Sequence, residues 1–374
     1  MIDYEKSRLT SRMYNYNFTK FYFIKFVIRI AISLIALTLL CSCSNTKSST
    51  TTKPSNNSFA ISGSLLQSIS CPSVNYCKAL DSSGRVFTYS NGKWSKSIQI
   101  RNNYQKFFYS ISCPDRTFCL AVGGRYLPQN KHGYFAKYSN GEWSSFSDKL
   151  GSSSPLGSVS CVSSSFCVAA NGGGEALFYE GNKWTQAIAV VKQTVVQAYQ
   201  SQYGSLTSIS CASKDFCIAV GNNGYEYTFR NGIWSAGLRI DKTSLEYGSL
   251  NTISCPTNKF CVAGDFNGFV FTYLNGLWTS GIQIVKNQNH TLSINSVSCP
   301  KNNFCIAVDN SGYAYIYSHG VWSEPNHIDK YGGLSSISCP VVQNCKAIDD
   351  VFGYVFSFDN GKWSIWKKLE IGNS

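Results

Sequence analysis

"SISCPSVNYCKALDSSGRVFTYSNGKW", residues 68–94, decides the fold, because its pattern returns six more times along the 374-residue chain. Each copy carries two cysteines in C-x5-C spacing: Cys71/Cys77, Cys113/Cys119, Cys161/Cys167, Cys211/Cys217, Cys255/Cys261, Cys299/Cys305 and Cys339/Cys345. Each pair is followed by one tryptophan, at 94, 143, 184, 234, 278, 322 and 363. First cysteines recur every 40 to 50 residues. A period of that size marks propeller blades or a solenoid array.

Within one copy four strands can be read: "LxSISC", "FCxAV", "GYxYTY" and a stretch opened by the tryptophan, with an "NG" turn before the last. Four strands per repeat is the content of a propeller blade. Residue size separates the two candidates. The first strand holds Ser, Ile, Ser and Cys, whereas the third holds aromatics, including Tyr89, Tyr138, Tyr179, Phe229, Tyr273, Tyr317 and Phe358 five residues before each tryptophan. Small residues at one edge and large ones at the other suit wedges around an axis, and a linear array has no such need. The reading is therefore all-β, a seven-bladed propeller over 65–374 with four antiparallel strands per blade. All strands of the last blade come from the C-terminal repeat, so closure is by packing; only "SFAIS" at 58–62 offers an extra strand.

Each cysteine pair falls at the end of one strand and the start of the next. Facing residues of an antiparallel pair are within disulfide reach, so one disulfide per blade is expected, stapling its first hairpin. Zinc is the alternative, but the spacing is not a zinc spacing and histidine is nearly absent nearby. Fourteen paired cysteines imply an oxidising, extracytoplasmic compartment.

The N-terminus predicts how the chain gets there. "IAISLIALTLLC" at 30–41 follows Lys20, Lys25 and Arg29. It is short for a span, which needs about 20 residues, and suits a signal-peptide core. Met13 is an alternative start. The run ends in "LLCSCS", which resembles a bacterial lipobox, with Cys43 preferred over Cys41 as the lipidated residue because Ser42 precedes it. An ordinary secretory signal or an uncleaved anchor remain as alternatives. The expected domains are a lipoprotein-type signal at 1–42, a flexible polar tether at 43–64, and the propeller. The expected location is the extracytoplasmic face of a bacterial membrane, held by a lipid anchor.

The run S-x-S-x…A-V-G-x-x-G…Y-x-x-G-x-W resembles the sialidase-type Asp-box repeat of bacterial extracellular propellers and the related seven-bladed assembly-factor propellers. The likeness spans 65 to about 372. The nearest approach to an Asp-box is Ser357–Trp363, one residue short; other blades place Ser90, Ser139, Arg230, Leu274 or Ser318 where the aspartate belongs. Sialidase resemblance implies an arginine triad, a Tyr–Glu nucleophile pair and an acidic proton donor. The arginines past the leader are Arg85, Arg101, Arg116, Arg125, Arg230 and Arg239, in no recurring position, and no acid/base pair can be assigned. Hence no catalytic residue, cofactor or metal is expected. Assembly-factor resemblance implies a binding or assembly scaffold with an unidentified protein or glycan partner. A glycan-active hydrolase and a purely structural envelope protein are the rivals.

The whole chain carries +13, and residues past 42 keep 27 Lys/Arg against 18 Asp/Glu. That excess suits an anionic partner or simply a solvated surface. It forms no stripe, so nucleic acid is not expected. A monomer is predicted.

Two features single out one face as the ligand side. Blade two carries an insertion at 124–132 and the link from blade three to four is long at 192–204. Arg125, Tyr126, Lys131, Tyr199 and Tyr203 are candidate wall residues there; neutral loop growth is the alternative. Four residues after the second cysteine stand Asp81, Asp265, Asp309 and Asp349, in blades that become neighbours on closure. They form an acidic arc that meets a cation or basic partner, or else are turn residues.

Overall fold

A computed structural model describes residues 66–100, 107–127, 130–144, 150–192, 205–243, 249–286 and 293–369, with the backbone alone at 125–127, 130, 131 and 366. Cys43, the signal, the tether and "SFAIS" lie outside the described residues, as do Tyr199 and Tyr203.

Seven antiparallel sheets follow one another, each made from one repeat. In blade one the strands are Leu66–Ser73, Tyr76–Asp81, Arg85–Ser90 and Lys93–Trp94, hydrogen-bonded in chain order. The innermost strands of the others begin at Phe107, Leu156, Leu206, Leu250, Ile294 and Leu334. The outer strand is broken in most blades: a second short piece, such as Ile98–Gln99, rejoins the start of the third strand. Blade seven instead runs Lys362–Lys368 unbroken but bulged.

The Asn-Gly hairpin follows from backbone sterics. Asn91 and Gly92 have φ of 46° and 86°, the left-handed pair that a two-residue type I′ loop requires. His319 occupies the asparagine place in blade six with φ 50°. The turn seats Tyr89 opposite Trp94, rings 5.4 Å apart, and the other six blades repeat the pair at 5.2–5.4 Å.

Seven apolar clusters form the core, one between each pair of consecutive blades. The seventh packs Ile348, Val355 and Leu369 of the last blade against Leu66, Ile69 and Phe87 of the first, which closes the ring by packing, with no strand shared between blades among the described residues.

The serines of "SISC" have a role beyond small size. Ser68 Oγ accepts from the Ile111 N–H of blade two and Ser70 Oγ from the Cys113 N–H. The same two bonds join every consecutive pair, fourteen in all at 2.9–3.3 Å, with Thr252 replacing one serine. At the seam Ile69 and Cys71 donate to Ser336 and Ser338. A sheet's inner edge would otherwise present unpaired backbone N–H groups; here the neighbour's hydroxyls cover them.

All seven cysteine pairs are disulfides within their own blade, Cα–Cα 3.9–4.1 Å. Each closes a ring so small that loop entropy gives about 2 kcal/mol. The expected register, with the two cysteines directly opposite, holds in all seven blades, as the equal Cα–Cα distances show. In blades three and four the backbone ladder also runs through the pair, Cys161 to Cys167 and Cys211 to Cys217; in the other five it lapses. There the first-hairpin ladder contains no cysteine pair, so Cys77, Cys119, Cys261, Cys305 and Cys345 have no ladder partner on the inner strand. The reason is proline. Pro72, Pro114, Pro256, Pro300 and Pro340 follow the first cysteine in those five blades, where blades three and four have Val162 and Ala212. Proline has no N–H to close the ladder beside the cysteines, so the sulfur bridge alone joins the strands at that point.

The second cysteines are held instead by the third strand. Cys77 lies opposite Tyr89, Cys119 opposite Tyr138, Cys261 opposite Tyr273, Cys305 opposite Tyr317 and Cys345 opposite Phe358. All five are at most 1% exposed and belong to the core clusters between blades. They are structural residues, shut away from any ligand-bearing surface.

Candidate functional site

In the inner-strand hexapeptide [LFI]-x-[ST]-[IV]-S-C the second position varies in chemical kind. It holds Gln67, Tyr109, Gly157, Thr207, Asn251, Asn295 and Ser335 in blade order. A bulge explains why it differs from its neighbours. The register with the second strand skips one residue there, between Leu66 and Ser68 in blade one and at the matching place in the other six. An unpaired bulge residue is released from the ladder and re-aimed. All seven are half-buried and all seven line one axial depression of about 640 Å³. Its wall is completed by residues of the turns between second and third strands, including Asn222, Phe266 and Asp350.

The ring is braced. Thr207 Oγ1 donates to the Leu250 carbonyl at 2.7 Å, Asn251 Nδ2 to Ile294 at 3.1 Å and Asn295 Nδ2 to Leu334 at 2.9 Å. Each bond reaches the inner strand of the next blade, so these side chains are held before any ligand arrives. At blade three Gly157 leaves a notch: a Cβ built there meets nothing within 4 Å. The lining is thus amide, hydroxyl and aromatic, with one carboxylate, Asp350, whose acidity burial weakens. Such groups donate and accept hydrogen bonds and can grip a polar segment. Arg85, Arg116, Arg230 and Arg239 do not line it, so none of the described arginines supplies a triad at the axis. Arg85 Nε instead pairs with Asp81, and Arg230 donates to Tyr273 Oη at the outer rim.

The four aspartates sit beneath this face and are fully buried. Asp265 Oδ1 accepts from the Asn267 and Phe269 N–H groups at 2.9 and 2.7 Å; Asp309 Oδ1 takes Ser311 and Tyr313 at 2.9 and 2.8 Å. Asp349 accepts from Phe352 and Tyr354, and Asp81 from Arg85. They hold the turn between second and third strands, the Asx geometry their residue type favours. Burial pushes Asp265 and Asp349 up to about 6, the turn N–H bonds opposing it. Asn171 does the same work in blade three, accepting from Gly173 and Glu175.

The blade-two insertion is a strand extension rather than a loop. Phe118–Leu127 and Asn130–Ser139 pair without a bulge, Arg125 opposite His132 and Tyr126 opposite Lys131. The added residues continue the ladder from Gly124 opposite Gly133 to Leu127 opposite Asn130, so the hairpin grows outward. It rises from the same face as the axial depression. The side chains of Arg125, Tyr126 and Lys131 lie outside the described part.

The sequence reading overlooked the axial ring. Its signal was available: one place that changes in chemical kind within a hexapeptide whose other positions change only conservatively.

No family model and no curated protein matches this sequence. Solved structures do. YCF48 bound to D1 peptide aligns with TM-score 0.60 at 11% identity, over 80% of this chain and 93% of that one. YCF48 from Cyanidioschyzon merolae aligns at 0.57 and 15%, over 81% and 98%. The WD40 β-propeller domain of Doa1 aligns at 0.56 and 9%, over 80% and 91%. At these identities the likeness establishes the seven-bladed propeller fold.

Proposed function

We propose that this chain is a lipid-anchored, extracytoplasmic scaffold on a bacterial cell surface that binds an extended, polar segment of a partner protein in its axial depression. The observation that carries the reading is the bulged ring: seven equivalent positions that differ in chemical kind, from glycine to amide to tyrosine, beside positions that change only conservatively. A purely architectural ring has no reason to vary in kind there. Gln67, Asn251 and Asn295 offer both donors and acceptors, as a peptide backbone demands. A propeller of the same fold, YCF48, has been solved with a D1 peptide, which supports a peptide-binding role for this shape. The lipid anchor rests on the sequence around Cys43, and the binding role over catalysis on the absence of an assignable acid/base pair among the described axial residues.

Gly157→Tyr tests the site, since a Cβ added there meets nothing within 4 Å and blade two already carries Tyr109 at the equivalent bulge. Crosslinking from intact cells through a photoreactive residue at position 251 is expected to join one protein partner to the wild type and lose it in G157Y. An identical crosslinked set in both would defeat the axial reading.

A further inference from the structure

The residue immediately before each tryptophan divides the ring in two. Blades one, two, three and seven place Lys93, Glu142, Lys183 and Lys362 there; blades four, five and six place Ile233, Leu277 and Val321. These three protrude, at 74%, 76% and 70% exposure. Their backbone setting is the common one, closing the Asn-Gly-type hairpin opposite Arg230, Leu274 and Ser318. The fold therefore does not demand an aliphatic side chain: lysine or glutamate serves at the same place in four blades.

A second observation falls on the same three blades. The turn between inner and second strands lies beside this hairpin. Backbone bonds join the two: Asn231 N–H to the Asp215 carbonyl, Asn275 to Lys259 and His319 to Asn303, at 2.8–3.1 Å. Only blades four, five and six carry a lysine in that turn, Lys214, Lys259 and Lys301, all exposed. Blade two has Arg116 there, beside Asp115. Arg230 adds a cation and Asp215 is the acid among these turns. The three blades are linked at this edge by Arg230 to Tyr273 at 2.7 Å and Thr257 to Asn302 at 3.0 Å.

We propose that this edge of blades four to six docks on an anionic lipid surface. Ile233, Leu277 and Val321 enter the acyl boundary while Lys214, Lys259 and Lys301 meet lipid phosphates. The chemistry favours lipid over protein. Protein hot spots are anchors seated in matched pockets, whereas fluid acyl chains receive protruding knobs without a matched shape, and flanking lysines add attraction to anionic headgroups. The edge lies at the opposite end of the strands from the axial mouth, so docking leaves the mouth facing solvent. The inference stands on these blades alone; an anchor at Cys43 would raise the local concentration.

The test is oxidative footprinting of the full-length chain on phosphatidylglycerol-rich vesicles. Hairpins 230–235, 274–279 and 318–323 are expected to label several-fold less than the equivalent hairpins of blades one, three and seven in the same sample. Phosphatidylcholine vesicles should weaken the difference. The variant I233K/L277K/V321K, whose lysines reproduce the residue used by three other blades, should abolish it. Equal labelling around the ring overturns the proposal. So does protection that survives the triple variant, or protection that needs no vesicles and grows with protein concentration, which would mark a contact between copies of this chain.

Discussion

The seam between blades seven and one should be as strong as any other. Ser336 and Ser338 accept from Ile69 and Cys71 at 3.2 and 2.9 Å, and those two donors are 5% and 6% exposed. Ser208 and Ser210 accept from Ile253 and Cys255 at 3.3 and 2.9 Å, with donors again 5% and 6% exposed. Replacing a serine by alanine strands a buried N–H, which costs about 1–3 kcal/mol. Each double variant, S336A/S338A and S208A/S210A, should therefore lose about 2–6 kcal/mol. At about 2–4 °C per kcal/mol for domains approaching this size, melting should fall by roughly 5–20 °C. Calorimetry and guanidinium titration followed by tryptophan fluorescence, with disulfides intact, give both values. The two variants should agree within about 1 kcal/mol, since distant equivalent sites behave alike. A seam loss under half the internal loss would refute closure by the same ladder. Losses near zero in both would refute the ladder as a source of stability.

Other outcomes follow from the blades' differences. Lys78 is 2% exposed, bonded to Thr88 Oγ1 at 3.0 Å and 3.8 Å above the Tyr138 ring, where other blades have Leu120 or Ile218; burial lowers it to about 8. A folded value below the unfolded one means stability rises as pH climbs from about 8 toward the unfolded lysine range, so Lys78→Leu should raise the melting temperature at pH 7 and flatten that rise. Glu226, raised by burial at a position that is Val86 or Val270 elsewhere, should likewise stabilise on Glu226→Val, read by the same melts. Asp265 and Asp349 are raised from 3.8 to about 6, so the native state binds more protons and stability falls as pH climbs from about 4 to about 6. D265N/D349N should reduce that slope while keeping the turns, as Asn171 does. Non-reducing peptide mass spectrometry should return seven nearest-neighbour disulfides and no inter-blade link.

The fold was legible because a blade repeats its whole pattern within one short stretch: cysteine pair, Asn-Gly turn, tryptophan. The ladder was not. Ser68 and Ser70 read as small residues because their partners stand 43 positions away, and at the seam 267. Hydroxyl pairing at that distance exists only once neighbouring blades have packed, and at the seam only once the ring has closed. The axial ring was hidden for the same reason. One residue per repeat says little until closure brings seven together, whereas the longer segments at 124–132 and 192–204 stand out in the linear sequence. The disulfide partners could be read from spacing, but the lost ladder pairing at Cys77 and its equivalents turned on the proline beside the first cysteine. Asp265 and its equivalents were readable as turn formers, since Asx chemistry is local; their complete burial depends on the neighbouring blade.

In each interface one blade offers two hydroxyls and the other two amides, so every blade is a giver on one side and a taker on the other. Such head-to-tail units define a direction of travel around the axis. They also leave no interface that is special to the chain's own start and finish. Order along the chain and order around the ring are therefore separable. A gene could begin its propeller at any blade, joined by a linker across the present seam, and reach the same ring. What the present order settles is only which blade comes first along the chain.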